Sequence, residues 1–394
     1  MGIIIFAEEY KKTTKGTFLV WSSYAEEASK KHEITIILNN EHWCFEEITK
    51  HFHNNPNIKI KLIDFSLLST KIFNYGYKFK LRLITILLNF LSIFLNFFSF
   101  PVIIFKLFLI LKSENKKTLI SHNGGLPGST LCRWIIIASY FSKLKNRIFV
   151  IHSHPPPKYK NIFNWFQIKS LEFYSTKIVT VSDSVKLALE EKGFKKNIYR
   201  VYNGIKDKKN SLLKKKLNWQ PSEKVIGFVG NLTYEKGVHI LIKAFRSVNI
   251  PNIELALLGP IDQSFLPYLK DLAKSCDKKV SFLGYSDDVQ FFMNNIDVLV
   301  VPAIAYESFS IVILEAMRNS IPVICSDFGG MKEVVVNDET GLIIPTKDHI
   351  ALTNAINQLM KSKKLRSTMG FRGKKRFLNN FTSKHMEKNY NKLL

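Results

Sequence analysis

Short apolar runs recur along this chain, and most are followed by a gap long enough for a helix. In the first half they are Gly2–Phe6, Ile34–Leu38, Ile58–Ile63, Thr118–Ser121, Ile148–His152 and Lys177–Ser182. In the second half they are Val225–Gly230, Ile253–Gly259, Val280–Gly284, Asp297–Pro302, Pro322–Ser326 and Leu342–Pro345. Most are rich in β-branched residues and continuously apolar rather than alternating. Strands covered on both faces have that pattern, and crossover helices cover parallel sheets in this way. The pattern predicts an α/β chain of two Rossmann-like, doubly wound domains facing a central cleft, with the site at the C-terminal ends of the strands. Its length of 394 residues and apolar share of 46% suffice for two cores. The boundary is expected in Lys206–Pro221, a polar stretch that holds Lys208, Lys209, Lys214, Lys215 and Lys216 and ends at a proline. The domains are then 1–206, completed by a C-terminal helix within 376–394, and 207–375.

One stretch departs from this rhythm. Leu83 to Phe105 carries no charge and is long enough to cross a bilayer. A single crossing would put strands of one sheet on opposite sides of the membrane, and Asn89, Ser92, Asn96, Ser99 and Pro101 interrupt the run. Two readings remain besides a hairpin insertion. One is a buried crossover helix continued by a second segment after Pro101. The other is a Phe-rich surface that dips into a membrane interface, flanked by Lys78, Lys80, Arg82, Lys106 and Lys112.

Charge sharpens the second reading. The formal net charge is +25. Residues 221–350 hold 11 basic and 16 acidic residues, so the excess lies elsewhere: 30 against 14 in 1–206, and 11 against 1 in 351–394. A basic half suits an anionic lipid or glycan, and its plain alternative is a solvated Lys-rich surface. No recognition helix, zinc finger or stacking motif points to nucleic acid. Cys44, Cys132, Cys276 and Cys325 lie far apart, without metal or redox spacing, as in a reducing cytosol. The N-terminal run of Gly2–Phe6 meets Glu8 and Glu9, and reads as a strand rather than a secretion signal.

Two segments carry the chemistry. In Gly227–Gly237 a strand ends in Gly230, a short loop follows, and a helix begins after Lys236-Gly237. Glycine lets backbone amides approach a ligand, a helix N-terminus favours an anion, and Lys236 adds a full charge. The composition is that of a phosphate cradle without Walker A spacing. In Pro302–Met317 a strand ends, a loop holds Glu307, and an apolar helix from about Ser310 holds Glu315. Carboxylates on so apolar an element need partners, and a sugar offers hydroxyls to both; the plain alternative is one capping and one solvated glutamate.

Together these segments resemble the donor-binding half of glycosyltransferase family 4, in which a G-R-L…K-G loop precedes an E-x-F-G…L-E-A-M segment. Val181-Ser182, Asn203-Gly204-Ile205, Phe282–Tyr285, Gly329–Glu333 and Thr340-Gly341-Leu342 resemble further segments of that family, and Phe381–Leu394 its closing helix. The likeness is dense from about 176 to 345 and thin before 150. It implies a GT-B fold and a retaining enzyme that uses a nucleotide-sugar, with UDP the expected nucleotide. By this resemblance Lys236 binds the donor diphosphate, Glu315 the ribose and Glu307 the transferred sugar. The amides of Ser310 and Ile311 bind the distal phosphate, Tyr285 lies beside the base, and Phe309 belongs to the same donor segment. Asn231 stands where the family has arginine, and Ser310 where it has glycine after Phe309. Gly16, in Lys15-Gly16-Thr17, takes the place of the family's glycine-rich loop over the phosphates.

The first half adds histidines at strand ends. The family places one against the reacting sugar; His152 aligns best, then His154, with structural histidines in a Pro-rich loop as the alternative. His122 ends the preceding strand and is an acceptor-side candidate, though a structural role is favoured. No carboxylate at 152–154 is placed as a nucleophile, so front-face transfer is expected, with the leaving phosphate taking the acceptor proton. No Asp-x-Asp occurs, and neither metal nor cofactor is expected. The resemblance points to a glycan or lipid-linked acceptor in cell-envelope polysaccharide or lipopolysaccharide synthesis, and to a cytoplasmic enzyme peripheral on the inner membrane face. Its rivals are a storage-polysaccharide phosphorylase or synthase and a non-catalytic GT-B protein that binds a glycan or supports a partner.

Overall fold

The computed structural model describes residues 2–8, 16–40, 42, 45–65, 82–124, 128–155, 162–195, 197–207, 217–286, 288–305 and 307–394. Lys15, Cys44, Lys78, Lys80, Tyr306 and residues 208–216 of the expected boundary lie outside them. The chain divides into two compact units: Met1–Thr180 with Leu189–Tyr199 and Asn391–Leu394, and Val181–Ala188 with Arg200–Tyr390.

The first unit is built on a sheet of β1 (Gly2–Ala7), β2 (Glu33–Asn39), β3 (Ile58–Ile63), β4 (Thr118–Asn123), β5 (Asn146–Ile151), β6 (Lys177–Thr180) and β7 (Ile198–Arg200). Their spatial order is β3-β2-β1-β4-β5-β6-β7. The pairings of β1 with β2 and β4, of β2 with β3, and of β5 with β4 and β6 are parallel. The helices are α1 (Gly16–Ala28), α2 (Phe45–Phe52), α3 (Arg82–Ser113), α4 (Thr130–Phe141) and α5 (Ile162–Tyr174), and α6 (Asp183–Glu191) belongs to the second unit as far as Ala188. Strand β1 is buried from Ile3 to Ala7, as its unbroken apolar run requires. The strand order reverses between β1 and β4, and Ala7 pairs with His122 across that reversal. The six apolar runs are strands to within two residues; β7, three residues long, is an addition.

The second unit carries β8 (Lys224–Val229), β9 (Ile253–Leu258), β10 (Lys279–Gly284), β11 (Val298–Val301), β12 (Val323–Ser326) and β13 (Gly341–Ile344), in the order β10-β9-β8-β11-β12-β13. Its helices are α7 (Val238–Arg246), α8 (Leu266–Lys274), α9 (Val289–Asn294), α10 (Ile311–Arg318), α11 (Met331–Val334), α12 (His349–Lys361), α13 (Lys363–Asn380) and α14 (Ser383–Asn391). Every recorded pairing is parallel. Ile226, Leu255, Val300 and Ile324 from the sheet pack with Phe245 of α7 and Leu359 of α12 in one core. The order reverses between β8 and β11, and both chemistry-bearing segments leave the sheet there.

The expected division after Pro101 is corrected. A single helix, α3, runs from Arg82 to Ser113 with Pro101 inside it. Proline removes one backbone donor, but Pro101 is exposed, so water can satisfy the carbonyl one turn back. The C-terminal half of α3 is two-faced. Leu107 and Leu111 are fully buried, whereas Phe98, Val102, Phe105 and Leu109 are exposed. Among the described residues no helix is long and apolar enough to cross a membrane.

The start of the second unit is fastened by a buried carboxylate. Glu254, fully buried in β9, accepts from Trp219 Nε1 and from the Ser222 amide, both at 2.9 Å. Lys279 Nζ lies 3.1 Å away, half exposed. Burial alone would raise the Glu254 pKa; hydrogen bonds from Ser281, Trp219, Ser222 and Lys279 outweigh it and hold the carboxyl below its ordinary value. Trp219→Phe keeps the ring stacked on Phe292 but removes a donor from a desolvated carboxylate, and should cost about 1–3 kcal/mol in urea unfolding. Lys279→Ala should cost less than about 1 kcal/mol. Equal losses would contradict this division.

Candidate functional site

In the second unit three loops meet at the C-terminal ends of β8, β11 and β12, and glycines decide how closely. Gly237 has φ +70, and a Cβ there would lie 1.9 Å from the Pro302 carbonyl oxygen. Only glycine combines that backbone with that approach. The Tyr234–Gly237 turn is thereby laid on the end of β11, where the Ile304 amide donates to the Glu235 carbonyl at 2.8 Å. Gly329 and Gly330 play the same part for the next loop, with would-be Cβ positions 1.8 Å and 2.0 Å from the carbonyl oxygens of Glu307 and Ser308.

This packing brings Lys236 and Glu307 together. Lys236 Nζ donates to Glu307 Oε2 at 2.6 Å. Glu307 is buried, while about a third of the Lys236 side chain reaches solvent. A carboxylate so placed needs the ammonium beside it. Ser310 is the N-cap of α10, and its side chain makes no capping hydrogen bond. The Ile313 amide donates to the Ser310 carbonyl at 3.2 Å; the amides ahead of it have no intrahelical acceptor, and the helix dipole adds partial positive charge there. The Lys236 ammonium and the start of α10 therefore offer cationic character beside the Glu307 carboxylate.

The other predicted donor residues fall into three environments. Asn231 lies in the β8–α7 loop next to Gly230, and Tyr285 is exposed just after β10. Glu315 is half-buried in the second turn of α10, and electrostatically coupled to Arg318. Phe309 is buried: its ring stacks on Tyr202 at 5.4 Å and meets Phe381 edge-on at 5.9 Å. A ligand can meet Phe309 through its backbone, and the ring anchors the loop. The segments that resembled the family outside these loops have structural work. Glu333 accepts from the amides of Asp183 and Ser184, both at 2.8 Å, and so caps α6.

In the first unit the strand ends at the reversal gather a polar cluster. His122 Nδ1 lies 3.0 Å from His152 Nε2, with the rings stacked at 24° and centroids 5.2 Å apart. Both are buried, and burial lowers both pKa values, His152 to about 4 and His122 well below its ordinary value, the latter with a further contribution from His152. Both rings are neutral at pH 7. His154 is half-buried outside the pair, with its pKa lowered by burial against a contribution from Glu191. Gly16 opens α1. Sequence reasoning missed Glu8 and the His122–His152 contact. Glu8 follows β1 almost wholly buried, where Asn39 Nδ2 donates to it at 3.2 Å and the Ser129 hydroxyl also bonds to it. Its signal was a carboxylate directly after a buried parallel strand. Among the described residues no group of three or more His, Cys, Asp or Glu is placed to hold a metal ion.

Comparison with known proteins gives this geometry a context. The sequence model of the family "Glycosyl transferases group 1" matches residues 209–376. The chain is 30% identical over 322 residues to the capsular polysaccharide biosynthesis glycosyltransferase CapM of Staphylococcus aureus, spanning 73% of this chain and 82% of CapM. It shares its fold with Anabaena HepE in complex with UDP and glucose: TM-score 0.72, 17% identity, 100% of this chain and 99% of that one. A variant of S. aureus TarM in complex with fondaparinux, α-GlcNAc-glycerol and UDP superposes with a TM-score of 0.69 at 11% identity, covering 100% and 99% of the two chains.

The buried histidines give the fold a pH dependence. Their folded-state pKa values lie below the ordinary 6.5, so the unfolded chain binds more protons below that pH. Stability is full above about pH 6.5 and falls as the pH drops towards 4, by up to about 1.4 kcal/mol per pH unit for each ring. Thermal unfolding from pH 7.5 to 5 should show this loss, and a His122→Asn/His152→Asn double variant should lose less over the same range. Parallel curves would mean that the rings do not titrate on unfolding.

Proposed function

The chain belongs to the group 1 glycosyltransferases, and from that premise we propose that it is a retaining enzyme moving a sugar from a UDP-sugar to a glycan or lipid-linked acceptor of the cell envelope. Glycosyl transfer follows from the family; donor, stereochemistry and acceptor are what we propose. The observation that carries it is the Lys236–Glu307 pair beside the start of α10, at the reversal of a parallel sheet. CapM supports a cell-envelope product, and UDP is the nucleotide in the HepE and TarM complexes.

In this reading the donor diphosphate lies against Lys236, the Ser310 and Ile311 amides and Asn231, with Gly16 contributing backbone. Glu315 holds the ribose beside Tyr285, Glu307 accepts from sugar hydroxyls, and His152 contacts the sugar; His122 and His154 are acceptor-side candidates. The acceptor oxygen bonds to the anomeric carbon on the face the phosphate leaves, the carbon–oxygen bond to phosphate breaks, and the proton passes to the leaving phosphate. The protein stabilises the charge that develops on the diphosphate, which a lysine and a helix start do without a metal.

Lys236→Ala should lower kcat/KM at least about tenfold. Because it also strips Glu307 of its counter-ion, melting curves must accompany it, and Glu307→Gln, which needs no counter-charge, should lower turnover while the protein stays folded. Glu315→Gln should chiefly weaken UDP binding. The same assay should persist in excess EDTA. Near-wild-type turnover by a folded Lys236→Ala protein would defeat the assignment.

The acceptor reading extends to a bilayer. Helix α3 packs on α4, and α4 on α5. Their described surfaces expose Phe98, Val102, Phe105, Leu109, Phe141 and Phe173. Lys106, Lys112, Lys143 and Lys145 stand exposed among them. Apolar insertion and attraction of lysines to anionic headgroups reinforce one another, at about 1 kcal/mol per basic residue near the surface. Flotation with anionic vesicles should recover the protein, high salt should reduce recovery, and Phe105→Ser/Phe173→Ser should weaken it in a folded protein. Equal recovery with and without anionic lipid would exclude docking.

A further inference from the structure

The contact between the two buried histidines has a direction, set by which ring carries the shared proton. One proton lies between His122 Nδ1 and His152 Nε2, 3.0 Å apart. If His152 supplied it, the proton of His122 would sit on Nε2. That nitrogen is buried and has no hydrogen-bond partner among the described residues. A buried N–H without an acceptor costs more than a buried lone pair without a donor, and is rarer in folded proteins. The less costly arrangement puts the His122 proton on Nδ1, donated to His152, and leaves a bare lone pair at His122 Nε2. Because neutral imidazole carries one proton, His152 then holds its own on Nδ1. Among the described residues His122 is the only hydrogen-bond partner of the His152 ring.

We propose that His122 is a positioning residue, whose Nδ1–H donates to His152 Nε2 and so fixes His152 as an Nδ1–H tautomer that donates to a hydroxyl of the bound sugar. The tautomer is a property of the pair alone; its use rests on His152 touching the sugar, as read above. Several features of the chain serve this arrangement. Burial keeps both rings uncharged, so neither donates to the other by becoming a cation. The strand register places His122 in β4 against Val150 in β5, and the His152 amide donates to the Asn123 carbonyl at 3.1 Å, which fixes the spacing of the two rings. Asn123 Oδ1 in turn accepts from the Ser129 amide at 2.8 Å, tying the strand end to the start of α4.

The test separates tautomer from turnover. With ring-¹⁵N-labelled histidine in the full-length protein, long-range ¹H–¹⁵N correlations should show His152 protonated at Nδ1 and bare at Nε2. Asparagine places its side-chain N–H close to where His122 Nδ1 stands, so His122→Asn should preserve that pattern, whereas His122→Leu should release a mixture of tautomers. In the transfer assay His122→Leu should lower kcat about tenfold with donor KM changed less than about twofold, and His122→Asn should recover most of the loss. His152 found with its proton on Nε2 in the wild type, or unchanged in His122→Leu, overturns the proposal. If His122→Leu does not fold, the wild-type and His122→Asn spectra still decide. Should the spectra agree and His152→Ala turn over normally, the tautomer stands and the sugar contact of His152 falls.

Discussion

Three carbonyl oxygens, of Pro302, Glu307 and Ser308, occupy the space in which a side chain would begin at Gly237, Gly329 and Gly330. Everything at the C-terminal edge of the second sheet follows from that backbone contact. It clamps the loops after β8, β11 and β12 together without using a side chain, which leaves Lys236 and Glu307 to meet at 2.6 Å. Any residue but glycine would push the loops apart at 237 or 329, where the backbone is also left-handed. A site made from loops on three strands gains its precision from such contacts, because loops alone are mobile. The aromatic packing of Phe309 on Tyr202 and Phe381 secures the same loop from behind.

Most strands were legible because they are covered on both faces and so read as unbroken apolar runs, as β1 and β9 do; β3, at a sheet edge, alternates Ile with Lys instead. Strand β7 was not: three residues with two exposed positions carry no such signature. Pro101 misled because a proline ordinarily ends a helix, and only its exposure, a tertiary property, lets α3 continue. The loops of the second unit were legible as motifs, but their reason was not. The sequence shows Gly329-Gly330 and Glu333 as a pattern; the structure shows that the glycines admit two carbonyls and that Glu333 caps α6. Phe309 stands within a donor motif, yet its ring serves the packing. The His122–His152 contact could not be read at all, since thirty residues separate the rings and only the register of β4 and β5 joins them.

The two units handle charge in opposite ways, and the difference is physical. In the second, a lysine ammonium and a largely buried carboxylate stand at hydrogen-bond distance, with the partial charge of a helix start nearby. Such a pair keeps a cation in a partly desolvated place where an isolated one would be expensive. In the first, the strand ends hold two rings that burial keeps neutral, and a carboxylate, Glu8, satisfied by Asn39 and Ser129. Neutral donors and acceptors discriminate hydroxyls by direction, and a cation stabilises a diphosphate by charge; a glycosyl donor presents both kinds of group. Each unit thus gathers its own kind of polar group at the C-terminal strand ends of its own sheet: an ion pair in the second, neutral rings and a satisfied carboxylate in the first.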